Sequence, residues 1–382
     1  MRRAVVLLLA AVLAAGSAGV YAAGGSASDP LISLDYLEQT YTPEVIKQAQ
    51  DKIDSGLDGI YQTALSDLKA KHNAYLTQAG RKGGNGSSAL TDQRYKRGDV
   101  ISLSTGSGVM LLAGSASAGY TSSGAVIDVT LGQTLDQGTA LSARHRYLVA
   151  ENTTAAITVT SDTAVISTEG AFTLSPSSTT DYNALAEALM DMGLFRGSDI
   201  GYGSGYNLEA VPTRIEGLVM FLRLIGEEPA ALAYTGENPF VDTPAWCERY
   251  TAYAYAKGYT KGVGTSASGQ MYFGTSTVMS AGEYMTFLLR ALGYSDSGAS
   301  PDFSWSNAVS RSVELGVLNT AEQKQFSQSP FLRAQVVYAS YFALSAPRKA
   351  GGTMLSGLTA SGALDATKVN SVMPGVSVAR MS

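Results

Sequence analysis

One stretch of this chain is written twice and echoed a third time, and that repetition limits the architecture before any single residue has a role. Thr213-Arg214-Ile215-Glu216 opens a segment that runs on to Phe221-Leu222-Arg223-Leu224-Ile225-Gly226. Ser280-Ala281-Gly282-Glu283 opens another that runs on to Leu288-Leu289-Arg290-Ala291-Leu292-Gly293. Arg and Gly fall at the same offsets from Glu in both. A unit this short cannot enclose an apolar face alone, so the copies must stack on a shared core. Such a chain reads as a binding or scaffold module more than as a one-site enzyme.

The copies share a grammar. A first helix ends in Met192-Gly193-Leu194-Phe195-Arg196-Gly197, Lys257-Gly258-Tyr259-Thr260-Lys261-Gly262 or Leu315-Gly316-Val317-Leu318-Asn319-Thr320. Gly after a helical run predicts a left-handed C-terminal cap. An aromatic follows (Tyr206, Phe273, Phe326) and is expected to plug the loop into the core. The second helix then opens with a capping box, Thr213 with Glu216 and Ser280 with Glu283. The third copy has Leu332 and Gln335 there, so Ser329-Pro330 is expected to cap one turn earlier. Beyond the cap one face is apolar: Leu218, Phe221, Leu222 and Ile225, then Met285, Leu288, Leu289 and Leu292. The third copy has Val337, Ser340, Tyr341 and Leu344, weaker at one place.

At 382 residues the chain has room for two or three domains. Its net charge of −5 argues against a general nucleic-acid binder. Met1-Arg2-Arg3, an apolar run from Ala4 to Ala15 and small residues around Ala22 predict a secretory signal peptide over 1–23, with no membrane insertion after cleavage. With one cysteine, Cys247, no internal disulfide can form, and a small buried hydrophobe is its expected role. Two histidines, His72 and His145, with one cysteine make a zinc site an unlikely design; no metal and no cofactor is expected.

Residues 29–79 read as helical. Thr42-Pro43-Glu44 is a helix start, and Ile46, Ile53, Leu57, Ile60, Ala64 and Leu68 suit one stripe buried against the same domain. Gln78 to Ser88 is a linker by composition. Residues 96–174 are β-rich: runs at 100–103, 109–112, 125–129, 147–150, 156–159 and 164–167 are separated by turn residues, as in a small sandwich or barrel. Arg144-His145-Arg146 reads as a solvated basic cluster. Ser175-Pro176-Ser177-Ser178 links this domain to the copies, at 181–228, 238–295 and 301–346, and a tail of open role follows at 347–382.

These phrases carry a family resemblance. Thr213-Arg214-Ile215-Glu216 resembles the Thr-Arg-Ala-Glu signature of S-layer homology domains, and Phe240-Val241-Asp242-Thr243-Pro244-Ala245-Trp246 resembles the opening of such a repeat. For the copies the resemblance implies a C-terminal all-α pseudo-threefold bundle of three repeats, two of them degenerate; with the N-terminal helical segment and the small all-β domain read above, the expected fold class is a multidomain α+β chain. The resemblance also implies a protein secreted to the cell wall or surface layer and held non-covalently on a secondary wall polysaccharide, an acidic one that often carries ketal-linked pyruvate. Self-assembly or contact with other surface proteins is a further option.

The binding residues the resemblance suggests are Arg214, Asp242, Trp246, Asp302, Trp305 and Arg333. An arginine in the first helical turn opposes the helix dipole, and a carboxylate placed between it and the amide ends would favour it. Arg214 could equally pair with an acid of a neighbouring copy. Either tryptophan could stack on a sugar or belong to the core. Thr213, Glu216, Ser280 and Glu283 read as caps, and Arg223 and Arg290 as ion-pair residues. The second copy has Ala281 where the arginine belongs, and the third has Gln335 for the acid. No catalytic residue is assigned, for the β-rich segment lacks a nucleophile elbow or a zinc pattern. A wall-tethered enzyme with that segment catalytic is the rival reading, with Asp128 and Asp136 as its acids; an array that binds nothing is a third.

Overall fold

The computed structural model describes residues 40–78, 89–121, 123–328 and 330–382. The expected signal peptide, residues 79–88 of the expected linker and Ser329 lie outside them. The fold is mixed α+β with antiparallel sheets. Residues 1–81 and 82–382 are separate compact units.

In the first unit the described residues form one helix, α1 (Thr42–Gln78). Of the stripe expected to be buried, Ile46 is 52% exposed, Ile60 70% and Ala64 exposed, while Leu68 is half-buried; the side chains of Ile53 and Leu57 lie outside the description.

The second unit begins with ten strands. β1 (Thr91–Lys96), β3 (Gly108–Ala113), β5 (Val126–Asp128), β6 (Gln133–Leu135), β7 (Arg146–Val149) and β9 (Thr163–Glu169) form one sheet in the order β1-β9-β3-β7-β5-β6. β2 (Val100–Leu103), β4 (Ala116–Tyr120), β8 (Ala155–Val159) and β10 (Phe172–Ser175) form another, ordered β10-β2-β8-β4. Tyr95, Val109, Leu111 and Ile166 of the first close on Ile101, Leu103, Ile157 and Val159 of the second, making a sandwich. All residues of β9 are buried, those on the face away from this core included. Val165 shows why: Gly203, from the helical part of the chain, lies so close that an added Cβ would meet the valine methyl at 2.6 Å. Residues 175–178 are no free linker. Ser177 Oγ and Thr179 Oγ1 each donate to the carbonyl of Arg97 at 2.6 Å, and Ser177 N donates to Asp99.

The helical part follows. α2 (Tyr182–Asp191), α5 (Glu248–Ala256) and α7 (Ala308–Glu314) are the first helices of the copies. Each ends before a glycine at positive φ: Gly193 (80°), Gly258 (75°) and Gly316 (72°). The second helices are α3 (Arg214–Leu224), α6 (Ala281–Ala291) and α9 (Arg333–Ala343), all of 11 residues. Between them lie α4 (Glu228–Leu232), α8 (Thr320–Phe326) and a short hairpin of β11 (Gly264–Thr265) and β12 (Met271–Tyr272). α3, α6 and α9 touch one another pairwise. The apolar face expected on each is buried throughout. The weak place in the third is resolved by a hydrogen bond, since Ser340 Oγ and Tyr284 OH lie 2.6 Å apart.

The two capping boxes form: Thr213 N donates to Glu216 Oε2 at 2.6 Å and Ser280 N to Glu283 Oε2 at 2.8 Å. The third helix corrects the expectation of an earlier start at Ser329-Pro330. α9 begins at Arg333, and Gln335 Oε1 accepts from Leu332 N at 2.7 Å. The amide side chain reaches back as a glutamate does, so the cap stays in register. The tail, with α10 (Met354–Ala360) and α11 (Ala366–Val372), joins the same core through Met354, Leu364 and Val369.

Candidate functional site

The first turns of the second helices collect the sequence candidates. Arg214 N donates to Thr277 O at 2.8 Å and Ile215 N to Thr275 O at 3.4 Å, which ties the start of α3 to the loop before α6. Arg333 N and Ala334 N donate to Ala210 O and Leu208 O at 2.9 and 3.0 Å. That ties the start of α9 to the loop before α3 in the same manner.

Arg214 is 6% exposed, with its guanidinium 5.1 Å from the ring centre of Phe273 and 5.4 Å from that of Phe287. Nη1 donates to Glu283 Oε1 at 2.6 Å. Desolvation lowers the pKa of this arginine, and the Glu283 charge opposes the shift. Pairing with an acid of the neighbouring copy, one of the two options open from sequence, is therefore present. Glu283 does two tasks, capping Ser280 with one oxygen and holding Arg214 with the other.

Arg333 differs. It is 4% exposed, yet it has no ion pair or side-chain hydrogen bond with any described residue; its buried Nε is unpartnered, as is that of Arg214. Desolvation lowers its pKa, with Glu216 as the opposing charge. Glu216 is committed to the Thr213 cap. A cation left this way is costly unless an anion completes it.

Asp242 lies under the loop before α6, to which the start of α3 is tied, and its charge acts on Arg214. Its carboxylate accepts from Phe273 N and Gly274 N at 2.7 Å and from Thr275 N at 3.2 Å. It shapes the loop that supplies the ring beneath Arg214. Asp302 does something else: it accepts from Ser295 N and Lys349 Nζ, each at 2.7 Å, and the lysine holds its carboxyl below the ordinary range. Trp246 is 62% exposed and Trp305 76%. Both rings face solvent, and the core alternative is not what the structure has. Cys247 is buried, and desolvation pushes its thiol up to about 11.

Two groups escaped the sequence reading. Arg223 pairs with Glu228 at 2.9 Å and Arg290 with Asp296 at 2.6 Å, while the third copy has Phe342 at that offset. There Arg380, from the tail, lies over the Phe342 ring at 5.6 Å and donates through Nε to the enclosed Glu322 at 2.6 Å. The missing arginine was the available signal. The other group is Arg94 of β1. It donates to Asn183 Oδ1 at 2.7 Å, to Gly203 O at 3.0 Å and to Glu209, and lies over the Tyr206 ring at 5.3 Å.

In the sandwich, His145 Nδ1 is 2.7 Å from Asp128 Oδ2, and Asp128 Oδ1 accepts from Thr130 N and Leu131 N. The basic cluster expected there is split: His145 is held by Asp128, while Arg146 is buried beside Glu169. Asp136 is exposed. Among the described residues no three His, Cys, Asp or Glu side chains are grouped to hold a metal ion. No described helix is long and apolar enough to cross a membrane. No known protein-family model matches the chain, and no curated protein matches it.

Proposed function

We propose that this chain is an exported surface protein whose residues 181–346 are three S-layer homology repeats, gathered as a pseudo-threefold bundle that holds the protein to an acidic wall polysaccharide. One observation carries the reading. Arg333 is a desolvated cation at a helix start that makes no ion pair with a described residue, and the acid whose charge reaches it, Glu216, is taken up by the Thr213 cap. A ketal-linked carboxylate is a ligand of the right charge and size to complete it. Arg214 sits in the corresponding turn but is already neutralised by Glu283, so it is a weaker reader. Trp246 and Trp305 offer solvent-facing rings on which sugar faces can stack. Asp242 and Asp302 support loops and do not face the sugar themselves.

The test is sedimentation with isolated bacterial cell-wall sacculi. The wild-type chain is expected to pellet with intact sacculi and to stay in solution once the secondary polymer is chemically stripped. Arg333→Ala is expected to weaken retention more than Arg214→Ala. Equal retention on stripped sacculi would reject the reading.

A further inference from the structure

The loop between α2 and α3 departs from the repeated pattern. In the second copy the corresponding stretch is the β11–β12 hairpin; in the first, residues 198–205 read Ser-Asp-Ile-Gly-Tyr-Gly-Ser-Gly and form no strand. This loop is fixed against the sandwich. Gly203 O accepts from Arg94 Nη1 at 3.0 Å, and Gly203 lies so close to Val165 that no side chain fits there. Ser198 N donates to Gly205 O and Gly205 N to Tyr202 O, so the loop also closes on itself. Where it meets β1 there is an open depression of about 510 Å³, lined by Asp92, Ser198, Asp199, Tyr202 and Ser204 besides glycines. That volume is in the range of small-molecule sites.

The lining is polar, and most of its hydrogen-bonding capacity is unspent. Asp92 Oδ1 accepts from Ser167 Oγ, its partner across β1 and β9, which fixes the carboxylate and leaves Oδ2 without a hydrogen bond to a described residue. The carboxylate of Asp199, the hydroxyls of Ser198 and Ser204 and the phenol of Tyr202 make no side-chain hydrogen bond with a described residue. Among the described residues no cation lines the depression, and Arg94, which reaches Gly203, is spent on Asn183, Gly203 and Glu209. Two carboxylates without a counter-charge turn away acidic ligands. A hard metal ion needs about six oxygens closed around it, and no three acidic or histidine side chains are grouped for that among the described residues. We propose that this depression binds an uncharged hexopyranose. Its hydroxyls donate to Asp92 and Asp199 and exchange hydrogen bonds with Ser198 and Ser204, while its C–H face lies on the half-buried ring of Tyr202. Because the loop is pinned to the sandwich, the acceptors are in place beforehand and binding orders little. The proposal does not rest on the anchoring reading, whose ligand is acidic.

The test uses the full chain and the methyl glycosides of glucose, galactose and mannose, read by saturation-transfer NMR and titration. At least one is expected to bind, with the corresponding uronic acid glycoside at least fivefold weaker. Tyr202→Ala and Asp199→Ala are each expected to weaken binding at least fivefold. Asp199 is exposed, so its variant decides the matter if Tyr202→Ala fails to fold. Arg333→Ala is expected to leave hexoside binding unchanged. Sacculus retention is read separately, so a failure of anchoring is told apart from a failure of this site. Absence of binding by all three hexosides, binding that survives Asp199→Ala, a uronate bound equally well, or a loss caused by Arg333→Ala overturns the proposal.

Discussion

Arg214 of the first copy donates to Glu283 of the second at 2.6 Å, and both sit in the first turn of their helices. Neither charge is free to leave: the arginine is enclosed between two phenylalanine rings, and the glutamate also caps its own helix. Removing one partner strands the other in low dielectric. Glu283→Ala is expected to cost about 3–5 kcal/mol in urea unfolding, because a buried charge is left unpaired and a cap is lost. Adding Arg214→Met is expected to restore part of that loss.

The same argument applies to the third copy through a different chain segment. Glu322 is fully enclosed and is held by Arg380 and by Tyr338 OH at 2.8 Å. Arg380→Ala is expected to destabilise the helical part by about 3–5 kcal/mol. Glu322→Gln in that background removes the stranded charge and is expected to recover much of the loss. Equal stability of Arg380→Ala and wild type would show that the tail is dispensable.

What could be read from sequence divides along physical lines. Capping boxes, C-terminal glycines and the apolar helix face depend on residues three or four apart, and the chain states them locally. Burial of Ser340 or exposure of Trp246 depends on what arrives from elsewhere, and composition is silent on that. β1 was missed because Thr91-Asp92-Gln93-Arg94-Tyr95-Lys96 is too polar for a strand signal, and its Arg94 faces the helical part. Arg380 finds Glu322 across 58 residues, a distance no local pattern reports. The α1 stripe was legible as periodicity, yet periodicity does not say which of its residues are covered, and Ile46 and Ile60 are exposed.

Acid should loosen the copies at two defined places. Burial alone would raise the carboxyls of Glu228 and Asp296, but hydrogen bonds and charge from Arg223 and Tyr250, and from Arg290 and Lys261, outweigh it and hold both below their ordinary values. A depressed folded pKa contributes stability that is present above the unfolded value and lost as pH falls through the folded one. Unfolding free energy is therefore expected to fall as pH drops below about 4.5. Arg223→Gln/Arg290→Gln should show a shallower slope; an identical slope would remove these pairs as the cause.

The exposed tryptophans separate binding from folding. Neither ring contributes to the core, so Trp246→Ala and Trp305→Ala are expected to change stability by no more than about 0.5 kcal/mol. If the rings stack on wall sugar, sacculus retention should fall in both while thermal unfolding stays put. Loss of stability matching loss of binding would point to a structural role.

The repeated grammar itself can be tested where it is broken. Arg214 and Glu283 stand at the first and third positions of successive helices, and Arg333 and Glu216 occupy the same two positions going from the third copy to the first. The remaining boundary has Ala281 and Gln335, so cation and acid are missing together, as expected if the two positions face one another. Gln335→Glu would keep the cap on Leu332 but set a carboxylate against Asp162, where the amide now donates at 2.7 Å. That change is expected to cost about 1–3 kcal/mol through like-charge repulsion and a lost hydrogen bond. Ala281→Arg alone is also expected to destabilise, because a buried alanine gives way to an unpaired charge. Together they should couple favourably by about 1 kcal/mol or more in a double-mutant cycle. Additive losses would mean that the second and third copies do not meet as the first and second do.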